Sequence, residues 1–267
     1  MENILLRIID KKDFNEHPIL YKYRDWNDVR HHKLLSDPSV YFPPHTEFKD
    51  PLDCKIRVPY EKLSDTEIFE YFLGESFKVH PDYEYFQHCN WACERFQNGP
   101  LRDRKHLYET EIDTSKEFNE RFGVLCLTTD QLNINMWDEY ANHKKGFCVG
   151  FDSKRLLEYM GGSVVRYVDD LPAIKPLEDH RIQFYKKVFF KESKYSFEKE
   201  YRMYKFWSQI PSNRNVKIEK ECILEIIFGP DIIPKDKFEI ESYVRLHLPH
   251  VKLIETKFDG NKIQFCD

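Results

Sequence analysis

The segment 123–152, GVLCLTTDQLNINMWDEYANHKKGFCVGFD, constrains the fold more than any other part of the chain. It opens on an apolar run, Val124-Leu125-Cys126-Leu127, that stops at two hydroxyls, Thr128 and Thr129. A polar connector holding Asn133 and Asn135 follows. In the next stretch, from Met136 to His143, Trp137 and Tyr140 stand three apart and so share a helical face. Gly146 closes that stretch, and Phe147-Cys148-Val149-Gly150-Phe151 reads as a second strand. Polar and aromatic side chains therefore collect where strands meet loops, the place where scaffolds carry binding groups.

The same reading extends along the chain. Strand patterns fall at 19–23, 164–168, 200–207, 222–228, 252–257 and 262–265, and helical spacing at 83–96, 107–119, 153–160, 181–190 and 234–248. Ser64, three residues before Glu67, makes a capping box ahead of the apolar stripe Ile68, Phe69, Phe72 and Leu73. Gly161-Gly162 reads as a helix stop. No repeat and no Gly/Ser-rich or Pro-rich linker divides the chain, and 267 residues can bury a core without disulfides. The expectation is a single α+β domain over 1–267, with a mixed or mostly antiparallel sheet and a helical insertion at 64–119.

A net charge of −5 gives no electrostatic case for a nucleic-acid partner, which enters only as an acceptor of a transferred group. The seven cysteines are scattered, and Cys126, Cys148 and Cys222 lie in apolar runs as small buried hydrophobes. Free thiols predict a cytoplasmic protein. Residues 1–7 lack a basic segment followed by an apolar one, so no leader is expected, and no uncharged run is long enough for a membrane span. No metal site is expected: His88-Cys89 with Cys93, and the doublet His31-His32, have no second Cys pair at zinc spacing. The P-loop, the serine-hydrolase elbow and the dinucleotide glycine fingerprint are absent. Aromatics make up 15% of the chain, enough to line a core or a cleft.

The strongest chemical candidate is Glu198-Lys199-Glu200, followed by Tyr201-Arg202. On a strand the two carboxylates face one side, roughly 6–7 Å apart, and Lys199 faces the other. One carboxylate can then hold a substrate hydroxyl while the other orients or deprotonates an acceptor. The plainer reading is a solvated polar face. Asp50-Pro51 favours a turn, with Asp50 and Asp53 capping a helix or bonding backbone amides, the alternative being that they shape the floor of a cleft near Tyr21 and Lys22.

Five pieces in order carry a resemblance: Tyr21-Lys22-Tyr23, Phe48-Lys49-Asp50-Pro51-Leu52-Asp53, 123–152, Phe197-Glu198-Lys199-Glu200-Tyr201-Arg202, and Leu224-Glu225-Ile226-Ile227-Phe228-Gly229-Pro230. Together they resemble the bacterial domain-of-unknown-function family 2971, with Lys49 where that family usually has Asn. The family name carries no activity.

The motif order also resembles that of ADP-ribosyltransferases: Tyr23-Arg24, then Thr128-Thr129 where Ser-Thr-Ser is usual, then Glu198-Lys199-Glu200. That resemblance implies an ADP-ribosyltransferase-like fold and NAD as substrate. Glu200 would act on the ribose hydroxyl and the developing cation, Glu198 on the acceptor, and Thr128 would support Glu200. Lys22 or Arg24 would take the diphosphate, and Trp137 or Tyr140 would stack on nicotinamide. Tyr21, Tyr23 and Thr129 would line the NAD site. A toxin or antiphage effector acting on a macromolecular acceptor fits the same resemblance. Two alternatives use the same residues. One is a non-catalytic module that senses a nucleotide or a partner protein in the aromatic cleft. The other is a metal-dependent nuclease built on Asp152, Glu198 and Lys199, although adjacent strand residues point to opposite faces.

Overall fold

The computed structural model describes residues 17–266; the segment on which the no-leader expectation rests lies outside the described residues. Along the chain run β1 (Ile19–Arg24), α1 (His32–Ser36), β2 (Ser39–Tyr41), α2 (Asp65–Val79), α3 (Tyr85–Asn98), α4 (Arg104–Arg121), β3 (Phe122–Thr128), α5 (Ile134–Tyr140), β4 (Phe147–Asp152), α6 (Ser153–Tyr159), β5 (Gly161–Val164), β6 (Arg166–Val168), α7 (His180–Phe189), β7 (Phe190–Glu192), β8 (Glu200–Phe206), β9 (Asn215–Lys217), β10 (Ile223–Phe228), α8 (Pro234–His247), β11 (Lys252–Ile254), β12 (Thr256–Asp259) and β13 (Lys262–Phe265). The class is α+β. A seven-stranded sheet has the order β11-β10-β4-β1-β3-β8-β5 and is antiparallel at every junction except β10 with β11.

The chain forms two compact units, where the sequence leads one to expect a single domain. Met1–Lys49, Arg121–Leu171 and Phe189–Asp267 make the first, and Asp50–Glu120 with Pro172–Val188 the second. Helices α2 to α4 fall in the expected insertion, but their unit begins earlier and recruits a segment far along the chain. That recruitment is a packing event: Ile174 joins Val58, Tyr60, Leu63, Ile68 and Leu107 in the second unit's core. The capping box starts α2, with the Ser64 hydroxyl accepting from the Glu67 amide at 3.2 Å and the Glu67 carboxylate accepting from the Ser64 amide at 2.9 Å. Such a cap is worth about 1 kcal/mol.

The sheet of the first unit has two unlike faces because side chains alternate along each strand. Leu20, Leu127, Val149, Phe151, Met203 and Ile226 pack on one side with Leu34 of α1, Leu156 of α6 and Ile240 of α8. Each large apolar side chain so buried contributes about 1.5–3 kcal/mol. Partners opposite one another across a ladder share a face. Through successive pairs Lys252, Glu225, Gly150, Tyr21, Thr128 and Glu200 therefore form one transverse row on the other side. Gly150 is required in that row: a Cβ there would stand 2.6 Å from Cγ of Glu225, which leans across it to reach Tyr21. The helix α6 ends at Tyr159, just ahead of Gly161-Gly162 as expected, and the two glycines open β5 against β8, where a Cβ on Gly161 would meet the Tyr204 ring at 2.5 Å. Among the described residues no helix is long and apolar enough to cross a membrane.

Candidate active site

The pair Glu198 and Glu200 does not alternate on one strand as its spacing suggests. Glu198 ends the short 3-10 helix Ser193–Glu198, Lys199 adopts a left-handed conformation (φ 43°, ψ 53°), and β8 begins at Glu200. A left-handed non-glycine residue costs about 1–2 kcal/mol, which the surroundings must supply. The turn brings both carboxylates to one ammonium. Lys191 Nζ, on β7, stands 2.5 Å from Glu198 Oε2 and 3.4 Å from Glu200 Oε2. Arg202, two residues along β8, donates to Glu200 Oε2 at 2.8 Å. Lys199 turns away to Asp130 at 2.8 Å. Lys191, Glu198, Glu200 and Arg202 are all buried, and buried charges persist only when paired. The Arg202 guanidinium also lies 6.0 Å from the centre of the Phe48 ring, which gives that motif residue a place beside the cluster.

Residues of the 123–152 segment hold this turn. Three successive carbonyls are engaged: Phe197 O accepts from Asn133 Nδ2 at 2.5 Å, Glu198 O from the Thr128 hydroxyl at 2.7 Å, and Lys199 O from the Thr129 amide at 3.1 Å. Asn133 also caps α5, its side-chain oxygen accepting from the amides of Asn135 and Met136. The connector is pinned in turn, since Asp130 O accepts from the Tyr23 hydroxyl at 2.7 Å and Gln131 O from Trp137 Nε1 at 2.9 Å. The Glu200 amide donates to the Tyr167 hydroxyl at 2.9 Å.

Several expected roles change as a result. Thr128 fixes the backbone at Glu198 rather than the carboxylate of Glu200. Trp137 is fully buried and set edge-on to Tyr23, with ring centres 4.9 Å apart, so it has no face to stack on a ligand. Tyr140 is 39% exposed, and its hydroxyl donates to Glu198 Oε1 at 3.0 Å. Thr129 serves the turn. Tyr21 stands in the polar row and donates to Glu225 Oε1 at 3.0 Å.

Lys22 and Arg24 leave β1 on the side of Leu20, opposite the row that holds Glu200, although the charges of Glu200 and Glu198 still reach the Lys22 ammonium. Lys22 reaches the Cys126 carbonyl at 2.6 Å, at the junction where β1 and β3 share one bridge pair. Burial, then the nearby Arg24 charge, lowers the Lys22 ammonium to about 8, and burial lowers Arg24 to about 10. A base with a depressed folded-state pKa weighs against folding while it is protonated. Stability should therefore rise between about pH 8 and 10.5 by up to about 3 kcal/mol from this one group. Subtracting the urea-unfolding profile of Lys22→Met from that of the native chain across this range isolates the rise; a flat difference would remove the depressed ammonium from the account.

The two carboxylates are driven apart in acidity. Burial raises Glu200, but the charges of Arg202 and Lys191, with hydrogen bonds from Arg202 and the Cys126 thiol, outweigh it and bring the group to about 2. Burial and then the charge of Glu200 raise Glu198. Such a split in a pair of titrating groups is how a site assigns one to stay charged and the other to carry a proton.

Sequence reasoning missed Lys191, Tyr167, Cys126 and the role of Arg202. Arg202 had a signal, because Glu200 and Arg202 are two apart on one strand face. Lys191 and Tyr167 had none, since both arrive from the separate pair β6 and β7, where they stand opposite one another. The nuclease constellation does not assemble: Asp152 caps α6 through the Arg155 amide at 3.0 Å, and Lys199 pairs with Asp130. Among the described residues no group of three His, Cys, Asp or Glu is placed to hold a metal ion. Comparison with family models, curated proteins and solved structures returned no match.

Proposed function

We propose that the first unit is an ADP-ribosyltransferase-like enzyme of the resembled family, with NAD as its substrate. The observation that carries this reading is the row Tyr21, Thr128, Glu200. Thr128 and Glu200 of the transferase motif order, with Tyr21 of the first resembled piece, stand on adjacent strands and one face, with Glu198 drawn to the same ammonium as Glu200. In this reading the ionised Glu200 accepts from a ribose hydroxyl and faces the positive charge that develops at C1′. The C1′–nitrogen bond breaks and its electron pair leaves with nicotinamide. An acceptor O–H or N–H forms the new bond to C1′, and its proton passes to Glu198, whose raised pKa suits a base. Tyr140 reaches from the surface and orients Glu198. With water as acceptor the product is ADP-ribose.

Product analysis tests this assignment. Incubation with NAD should yield nicotinamide with ADP-ribose or an ADP-ribosylated acceptor. Glu198→Gln should slow that yield by about 10²- to 10⁴-fold, the range of a positioned base, while NAD still binds. One observation favours a second reading: Glu200 is buried and held by two cations, as in a structural network. A nucleotide-sensing module of that kind would bind NAD and return it intact.

A further inference from the structure

The far end of the polar row holds two opposite charges that do not meet. Glu225 and Lys252 are register partners on β10 and β11. Their strands run about 4.8 Å apart, and a carboxylate and an ammonium so placed ordinarily pair. Here Glu225 leans the other way, across Gly150, and its Oε1 accepts from the Tyr21 hydroxyl at 3.0 Å. Burial and Glu225 raise the Tyr21 phenol above its ordinary range, so it stays a donor. Among the described residues Glu225 Oε2 accepts from no donor and Lys252 forms no ion pair. The other acid close by, Glu255, is taken by Lys237 at 2.6 Å. Both unpaired charges line one cavity of about 700 Å³, within the size range of ligand pockets. Ile19, Ile254 and the part-exposed ring of Phe265 supply its apolar wall. The cavity thus offers an acceptor for an ammonium and, one strand away, a cation for a carboxylate, both beside apolar surface. A free α-amino acid carries that pair of charges on a single carbon, with its side chain as the third arm.

We propose that this cavity binds a free α-amino acid with a large apolar side chain, its carboxylate on Lys252, its ammonium on Glu225 Oε2 and its side chain against Ile254 and Phe265. The site is separate from the one at Glu200. Glu225 is four strands from Glu200 and Lys252 five, about 19 Å and about 24 Å at the usual strand spacing. The inference therefore stands on the cavity alone and does not depend on NAD being cleaved.

The test is calorimetry of the full chain with L-phenylalanine, beside N-acetyl-L-phenylalanine, which lacks the ammonium, and L-phenylalaninamide, which lacks the carboxylate. L-Phenylalanine should bind, and each derivative should bind at least about 10-fold more weakly, the loss of one charge-assisted contact. Lys252→Met should weaken L-phenylalanine by a similar factor and leave the amide unchanged. Glu225→Gln should weaken L-phenylalanine and leave the N-acetyl form unchanged. That crossed pattern assigns each charge of the ligand to its residue. Lys252 is exposed, so its replacement probes the site without disturbing the core. No binding of L-phenylalanine up to about 10 mM, or equal binding to the native chain and both variants, overturns the proposal. So does a derivative that binds as tightly as the parent, since the site would then read one charge only. Nicotinamide release from NAD is read in parallel and should be the same in Lys252→Met as in the native chain. A loss of release in that variant would place Lys252 on NAD and overturn the separate site.

Discussion

If the proposed transferase reading holds, replacing Glu200 with Gln should lower nicotinamide release from NAD by about 10³-fold or more, the loss that follows removal of a charge aimed at the transition state. The size of the effect comes from burial. In the proposed transferase site Glu200 would act with little water around it, where an ionised group next to a developing cation is worth far more than in solution. Its ionisation is secured by Arg202 and Lys191, which hold it near a pKa of about 2. The amide has the same shape and still offers an oxygen to Arg202, so NAD affinity should change only a few-fold. Because the substitution also unbalances a buried charge cluster, its melting temperature and circular dichroism must accompany the kinetics. A folded Glu200→Gln protein that turns over NAD at the native rate removes Glu200 from the chemistry.

Replacing Lys191 with Met destabilises the protein by about 3–5 kcal/mol, the cost of removing one partner from a buried ion pair. For a chain of this size that is a fall in melting temperature on the order of 10 °C. Lys191 is the group that two carboxylates share, so its loss leaves Glu198 with the Tyr140 hydroxyl and Glu200 with Arg202. The deficit depends on pH in a defined direction. Glu200 has a depressed folded-state pKa, so its contribution is present above its unfolded value of about 4.5 and disappears as pH falls through about 2. The gap between the native chain and Lys191→Met should accordingly narrow in acid. Adding Glu198→Gln to Lys191→Met should recover much of the loss, because it removes one of the two stranded charges. A Lys191→Met protein with native stability at neutral pH would show that the cluster is not held by that ammonium.

Much of the sheet was legible from local pattern. The apolar run ending at Thr128-Thr129 became β3, the Trp137 segment became α5, and Phe147–Asp152 became β4. The capping box at Ser64 formed as its spacing predicts. These features depend on residues a few positions apart. The geometry around the carboxylates does not. Lys199 is an ordinary lysine with no propensity for a left-handed conformation, and it is held there by Asn133, Thr128 and Thr129, which lie 64 to 70 residues before the carbonyls they engage. Nothing near position 198 announces those partners. Trp137 shows the same limit in reverse: its spacing places it on a helix, but whether an indole stacks on a ligand or donates to a carbonyl depends on what the fold places beside it. The division into two units was hidden because Pro172–Val188 joins its unit through packing across a long stretch of chain.

The most direct test of the central claim is single-turnover release of nicotinamide from NAD by the native chain, with the folded Glu200→Gln protein measured beside it. Release by the native chain and its loss in the variant is the predicted result. NAD left intact by both proteins, with no NAD binding in calorimetry, would contradict the claim that Glu198 and Glu200 form a transferase site.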